Sequence, residues 1–289
     1  MTRMTIGDVV AIDVHVHLRD AAAREAAGET ARQMARYAGR RYEIVPADEM
    51  AEEYRRRRMM AVVLNTTDET VTGRRGLPND YVAKVVEANS DVLIGFGIVD
   101  PWMGRLAIEE VRRCADLGLK GIGEFNPARQ HFYPNDPRFY PLWETIQELG
   151  LIVLFHTGMA AAGAGTPGGM GIKLKYTRPI PYLDDVAADF PELKIIGAHP
   201  SWPYDAENLA VARHKANYFM DLSGWAPKHF SQDLVNHAKS ILSDKMLFGS
   251  DSGIVSVDRW MEEFNALPIP AASKQKIIRD NAVRLFGLE

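Results

Sequence analysis

The 289-residue sequence contains one cysteine, Cys114 in VRRCADLG. A single thiol excludes an intramolecular disulfide, and with no partner motif beside it Cys114 reads as a small buried hydrophobe rather than a nucleophile. No apolar run approaches the ~20 residues a membrane helix requires. The opening MTRMTIGDVVAIDVH has no basic segment, long apolar core or small-residue cleavage site, so a cytoplasmic protein with no membrane partner is expected. Basic excess is missing too: 34 Lys and Arg face 38 Asp and Glu, for a net charge of -4. That balance argues against nucleic-acid binding, which needs a basic stripe. The one local exception, Arg55 to Arg58, follows AEEY and reads as a solvated helix end, where cations complement the helix dipole.

Nucleotide-binding motifs are also lacking. Gly163, Gly165 and Gly168 have GxGxxG spacing, but Pro167 interrupts the run, no helix follows at once and no acidic residue lies at the expected distance. No Gly-Lys-Ser/Thr closes a P-loop. What remains is an ordinary globular composition, 46% hydrophobic and 25% charged, without low-complexity tracts.

Short β-branched or aromatic runs recur, each separated from the next by a helical pattern. Strands are predicted at Val9–His17, Met59–Thr66, Val92–Val99, Leu119–Phe125, Leu151–Thr157, Leu193–His199, Tyr218–Ser223 and Lys245–Asp251. Helices are predicted near Asp80–Ala88, Gly104–Leu117, Pro137–Leu149, Tyr182–Phe190, Tyr204–His214, Phe230–Leu242, Val257–Ala266 and Ser273–Phe286. Eight strands alternating with helices give the α/β class and a (β/α)8 TIM barrel, one domain over residues 1–289. A doubly wound open sheet is the runner-up, disfavoured by the missing glycine-rich turn after the first strand. Two connections exceed the usual two to six residues: 20–47, with a plausible amphipathic helix in AREAAGETARQMARY, and the glycine-rich 158–181. Both are expected to cover the barrel mouth, the second bringing Lys173, Lys175 and Arg178 to an anionic substrate.

In DVHVHLRD, alternation along a strand puts His15 and His17 on one face and Val14, Val16 and Leu18 on the other. Taken alone, a His-x-His pair fits a metal site or a merely hydrogen-bonded pair equally well. Its context decides: Glu124 ends strand four, His156 strand five, His199 strand six and Asp251 strand eight, all at the C-terminal face that carries TIM-barrel chemistry. Three imidazoles and a carboxylate suit Zn²⁺, with Mn²⁺ or Fe²⁺ as alternatives, and an open position on such an ion activates water. Asp251 would then bind the ion and accept a proton, while His199 holds or protonates a substrate oxygen.

In their order along the chain, DVHVH, LFHTG, GAHPSWP and FGSDSG resemble the amidohydrolase superfamily, and GLKGIGEFNPARQHFYPNDPRFYPLWE resembles its amidohydrolase 2 branch, which contains aromatic-acid decarboxylases and hydrolases. The resemblance implies that His15, His17, His156 and Asp251 hold one divalent ion, that His199 is catalytic, and that homodimers form. Glu124 ends the strand on which binuclear relatives carry a bridging ligand; it is expected to ligate metal, touch substrate, or orient Arg129 or a histidine. HVHLRD also matches dihydroorotase, in which the arginine after the His pair binds a substrate carboxylate; Arg19 would do so here, or would pair with Asp20 or Asp13. No lysine ends strand four, which departs from dihydroorotase. Among Phe125, His131, Phe132, Tyr133, Trp202 and Trp225, two are expected to line the pocket, with Phe125 and Trp202 chosen as substrate contacts. The functional expectation is metal-dependent hydrolysis of an amide, lactone or C–C bond in a small carboxylated compound, aromatic or not. Alternatives are nonoxidative decarboxylation, or hydrolysis of a β-ketoacyl thioester whose coenzyme A phosphate meets the 158–181 loop. A metal-free binding barrel is disfavoured, because it would not keep these residues at the strand ends.

Overall fold

A computed structural model describes residues 4–37, 39 and 43–288. Eight parallel strands follow one another around a barrel in chain order: β1 (Ala11–His17), β2 (Met59–Leu64), β3 (Leu93–Gly97), β4 (Gly121–Phe125), β5 (Ile152–His156), β6 (Lys194–Ala198), β7 (Tyr218–Asp221) and β8 (Met246–Leu247). The seam between first and last strands is closed by hydrogen bonds from Val14 N to Phe248 O and from Asp251 N to His15 O, both 2.9 Å. This is the (β/α)8 TIM barrel expected from the strand and helix alternation.

The helices are α1 (Ala21–Tyr37), α2 (Ala47–Arg57), α3 (Glu69–Thr72), α4 (Asn79–Ala88), α5 (Arg105–Asp116), α6 (Pro127–Gln130), α7 (Tyr140–Glu148), α8 (Tyr182–Asp189), α9 (Asp205–His214), α10 (Gln232–Ala238), α11 (Val257–Ala266), α12 (Ala271–Gln275) and α13 (Asn281–Phe286), with a π turn over Lys276–Asp280. Ser256 caps α11 by accepting from Arg259 N, and Ser231 caps α10 from Leu234 N, the role of a serine just outside a first turn. The last predicted helix, Ser273–Phe286, is three consecutive segments, α12, the π turn and α13. Strand eight, Met246–Leu247, is much shorter than the predicted Lys245–Asp251, although Phe248 and Asp251 beyond it still bond to β1 across the seam.

Strand alternation sorts the core into two layers. On β5, Ile152 and Leu154 fill the barrel interior with Ile12, Val62, Ile94 and Phe96, while Val153 and Phe155 pack outward against the helices. Helix α13 plugs the barrel's lower end, its Phe286 ring 6.0 Å from Phe96. Cys114 is buried as expected, and burial pushes its thiol up to about 12.

Two strands break the alternation. Between Asp13 and Val16 three steps of β1 face two of β2, and between Ile122 and Phe125 three steps of β4 face two of β5. Such bulges re-aim the side chains beyond them. Val14 therefore joins the interior with Ile12 instead of facing away from the His pair, and only Val16 and Leu18 point outward as strict alternation predicts. Among the described residues no helix is long and apolar enough to cross a membrane.

Candidate metal centre

Above the β1 bulge, His15 and His17 share one wall, with their Nε2 atoms 3.2 Å apart. Glu124, above the β4 bulge, sits at the hub. Its Oε2 lies 3.3 Å from His17 Nε2 and 3.7 Å from His15 Nε2, and its Oε1 lies 2.6 Å from His156 Nδ1 and 3.5 Å from His199 Nε2. His199 Nε2 and His156 Nδ1 are 3.1 Å apart. The four histidines singled out in the sequence thus converge, and the other four, His131, His214, His229 and His237, lie elsewhere on the chain. Asp251 is the more distant carboxylate, its Oδ1 3.9 Å from His17 Nε2, so Glu124 rather than Asp251 lies closest to the imidazoles.

The imidazoles are positioned from behind. Asp221 Oδ2 is 2.9 Å from His15 Nδ1, which turns His15 Nε2 toward the centre, and Asp221 Oδ1 accepts from His199 N and Ser223 N. Ser223 Oγ lies 2.8 Å from His199 Nδ1. Burial opposes ionisation of Asp221, but the His15 charge and hydrogen bond overcome it and hold the carboxyl down to about 2. Burial likewise opposes charge on His15, yet Asp221 and Glu124 raise it well above the usual histidine range. His156 is lowered, burial outweighing Glu124. Asp13 forms a second support: it accepts from Ser250 N at 2.8 Å, Ser250 Oγ at 2.6 Å and Tyr54 Oη at 2.8 Å, tying β1, α2 and the loop after β8 together. Gly249 makes room, since a Cβ there would stand 2.8 Å from Ser223 Cβ and 3.0 Å from His15 Cβ. His199 and Asp251 adopt positive φ values of 71° and 51°, a region histidine and aspartate enter more readily than most residues.

The donor chemistry fits a divalent cation. Pairs of imidazole nitrogens that face each other at 3.2 and 3.1 Å need a proton or a cation between them, and His156 Nε2 is buried with no hydrogen-bond partner. Two ligand groups, His15–His17–Glu124 and Glu124–His156–His199, each have their atoms within 4.8 Å of one another, and Glu124 is common to both. Neither Asp221 nor Asp13 was singled out in the sequence. Asp221 ends strand seven, so the strand-end rule that found the other residues also reaches it; Asp13 lies before the bulge, where no local pattern marks it.

The centre forms the floor of a cavity of about 640 Å3 whose lining includes His17, Arg19, Glu124, His156, His199 and Asp251. Both long connections contribute to its lining: α1 supplies Ala23, Ala27, Ala31 and Met34, and the glycine-rich loop supplies Ala160 to Ala162. Gln33 latches the two, donating to Ala164 O at 2.7 Å and accepting from Gly163 N at 2.8 Å. The cations of that loop do not reach the cavity. Arg178 pairs with Glu207, and the Lys175 ammonium lies 5.1 Å from the Tyr176 ring; neither they nor Lys173 belong to the lining, which removes the contact assigned to a coenzyme A phosphate.

The two aromatic substrate contacts are corrected as well. Phe125 is wholly buried and points outward, its ring 5.4 Å from both Trp143 and Phe155, because the bulge gives the inward position to Glu124. Trp202 is half exposed beside Trp225, outside the lining. Arg19 does line the cavity, and neither predicted ion pair forms: Asp20 accepts from Tyr81 Oη and Asp13 from Tyr54 and Ser250. Arg129 is held by Asp68 at 2.6 Å rather than by Glu124. Arg55 and Arg57, read as solvated, are partly buried in pairs with Asp91 at 2.7 Å and Asp258 at 2.9 Å.

A gamma-resorcylate decarboxylase from Polaromonas sp. is 24% identical over 263 residues, 78% of this chain and 79% of that protein. Among solved structures, an uncharacterised TIM-barrel protein from Bordetella bronchiseptica superposes with TM-score 0.78 at 24% identity, covering 96% of this chain and 98% of that one. A dihydroxybenzoic acid decarboxylase from Polaromonas sp., with bound manganese and the inhibitor 2-nitroresorcinol, gives TM-score 0.65 at 18% identity over 97% of each chain. A probable 2-pyrone-4,6-dicarboxylic acid hydrolase from Acinetobacter baumannii gives 0.66 at 15%, over 96% of this chain and all of that one. The family model Amidohydro_2, described as Amidohydrolase, matches residues 12–288, and with nearly the whole chain inside that match the protein belongs to the amidohydrolase family.

Proposed function

We propose that the protein is a metal-dependent nonoxidative decarboxylase of a small aromatic or unsaturated carboxylic acid. The observation that carries this reading is Arg19. Arg19 lines the same cavity as His17 and Asp251, its Nε is buried without a hydrogen-bond partner, and no carboxylate among the described residues pairs with it. A buried cationic donor left open beside a carboxylate-and-imidazole cluster suits a substrate carboxylate. The curated decarboxylase relative supports the same direction.

His15, His17 and His156, with Glu124 or Asp251, would hold the ion, with Zn²⁺ or Mn²⁺ the expected metals. When bound, a divalent ion there supplies positive charge that polarises the substrate oxygens. Arg19 fixes the carboxylate with its planar fork. His199, steadied by Ser223, holds a neighbouring substrate oxygen. A proton from solvent, relayed by Asp251 at the edge of the centre, takes the place of the departing carboxyl group: the C–C bonding pair stays on carbon, the proton joins it, and CO2 leaves. Hydrolysis, the first expectation from sequence, is the second reading, favoured by the side chain of Asp251, 18% exposed and so placed to take a proton from water.

The test is a panel of hydroxybenzoic acids labelled with 13C in the carboxyl group, incubated with Mn²⁺- or Zn²⁺-loaded protein. Release of labelled CO2 without a new carboxylate is the expected result. Incorporation of 18O from water into a new carboxylate, with the label retained, would replace decarboxylation by hydrolysis.

A further inference from the structure

On the β2 and β4 side the cavity lining gathers three arginines, Arg74, Arg75 and Arg129, whose acidic partners are two carboxylates, Asp68 and Glu69. Arg129 from α6 and Arg74 from the loop before α4 converge on one buried carboxylate, Asp68, at 2.6 and 3.7 Å. Asp68 is shared further with Thr72 Oγ1 at 3.1 Å. Arg75, whose side chain is 91% exposed, has Glu69 at 3.7 Å. All three arginines belong to the cavity lining, together with Asn126. Two arginines on one carboxylate leave a net positive charge, and a cavity wall that excludes part of the solvent strengthens its pull on an anion.

Size points the same way. A site of about 640 Å3 falls within the roughly 300–1,000 Å3 that takes drug-sized ligands, more than one ring and its carboxylate fill. The apolar Ala27 and Ala31 of α1 belong to the same lining.

We propose that the substrate is a dianion. One carboxylate meets Arg19 at the centre, an apolar or aromatic body lies along α1, and a second acidic group meets Arg74 and Arg75 at the rim. This rests on the reading that the centre acts on a carboxylated compound, and adds a second point of recognition that selects for di-acids.

Calorimetric binding of isophthalate and benzoate to the as-purified protein, in phosphate- and citrate-free buffer, tests it without requiring turnover. Isophthalate is expected to bind at least about tenfold more tightly, the scale of a charge-assisted hydrogen bond. In the double variant Arg74→Met/Arg75→Met that ratio should fall toward one, and in Arg74→Lys most of it should persist, with thermal melting confirming that each variant is folded. A wild-type ratio near one, or a ratio unchanged in the double variant, overturns the proposal. Selective binding of isophthalate without turnover of any labelled acid sinks the decarboxylase reading and leaves the rim site standing. Turnover of mono-acids with a binding ratio near one does the reverse.

Discussion

Single side chains at this centre are held by partners whose loss should be measurable. Burial raises Asp13 from its ordinary 3.8 to about 6, so the folded chain keeps a proton that the unfolded chain releases within that window. The contribution of Asp13 to stability therefore falls as pH rises between those values. Tyr54→Phe removes one donor to this carboxylate and should cost about 1–3 kcal/mol in urea unfolding. The loss should be larger near pH 7 than near pH 5, because the missing donor chiefly stabilised the ionised form. Asp221→Asn should weaken metal affinity by roughly 10–100-fold, measured by competition with a chelator, because His15 loses the carboxylate that orients it. Unchanged affinity would count against His15 as a ligand. The four histidines, Glu124 and Asp251 were legible as polar residues at strand ends, and Arg19 from the motif that follows the histidine pair. Asp13 was not, since its importance comes from Ser250 and Tyr54, which lie far away along the chain.

At the scale of elements, the two long connections were legible from their length, but the chemistry of the residues they bring to the cavity was not. The glycine-rich loop presents alanines to the cavity and turns its cations toward Glu207 and Tyr176, partners from α9 and its own short turn that no local pattern announces. Gln33 is the tie between loop and helix. Gln33→Ala should speed limited proteolysis of the glycine-rich loop several-fold while changing global stability by no more than about 1 kcal/mol, since a cover can open without unfolding the barrel. Equal proteolysis of variant and parent would show that the latch is not what holds the loop. Helix α1 bends at Gly28, whose positive φ of 52° lets the chain turn there; a Cβ at that point would come within 2.7 Å of Arg74 Nη1. Helix-former content in AREAAGETARQMARY foretold the helix, and the bend came from the glycine in its middle.

Across the whole molecule, alternation of hydrophobic strands and amphipathic helices carried the topology, because a closed parallel barrel imposes that pattern on every unit. Phe96 is fully buried in the barrel interior and touches the helix that plugs its lower end. Phe96→Ala should lower the unfolding free energy by about 3–5 kcal/mol, read from denaturant melts, with the centre at the opposite end keeping its metal stoichiometry. The two bulges were invisible to this reading, because a strict two-residue period leaves no place for an extra residue. They are phase shifts in the strand's code. Below each one the side chains obey the packing demands of the core, and above it they obey the geometry of the centre, so the two demands are written in separate registers. A one-residue deletion inside β1 or β4 should therefore be more damaging than most substitutions there: it would return His15 or Glu124 to the face that the core pattern reserves for apolar groups, and exchange chemistry for packing in one step.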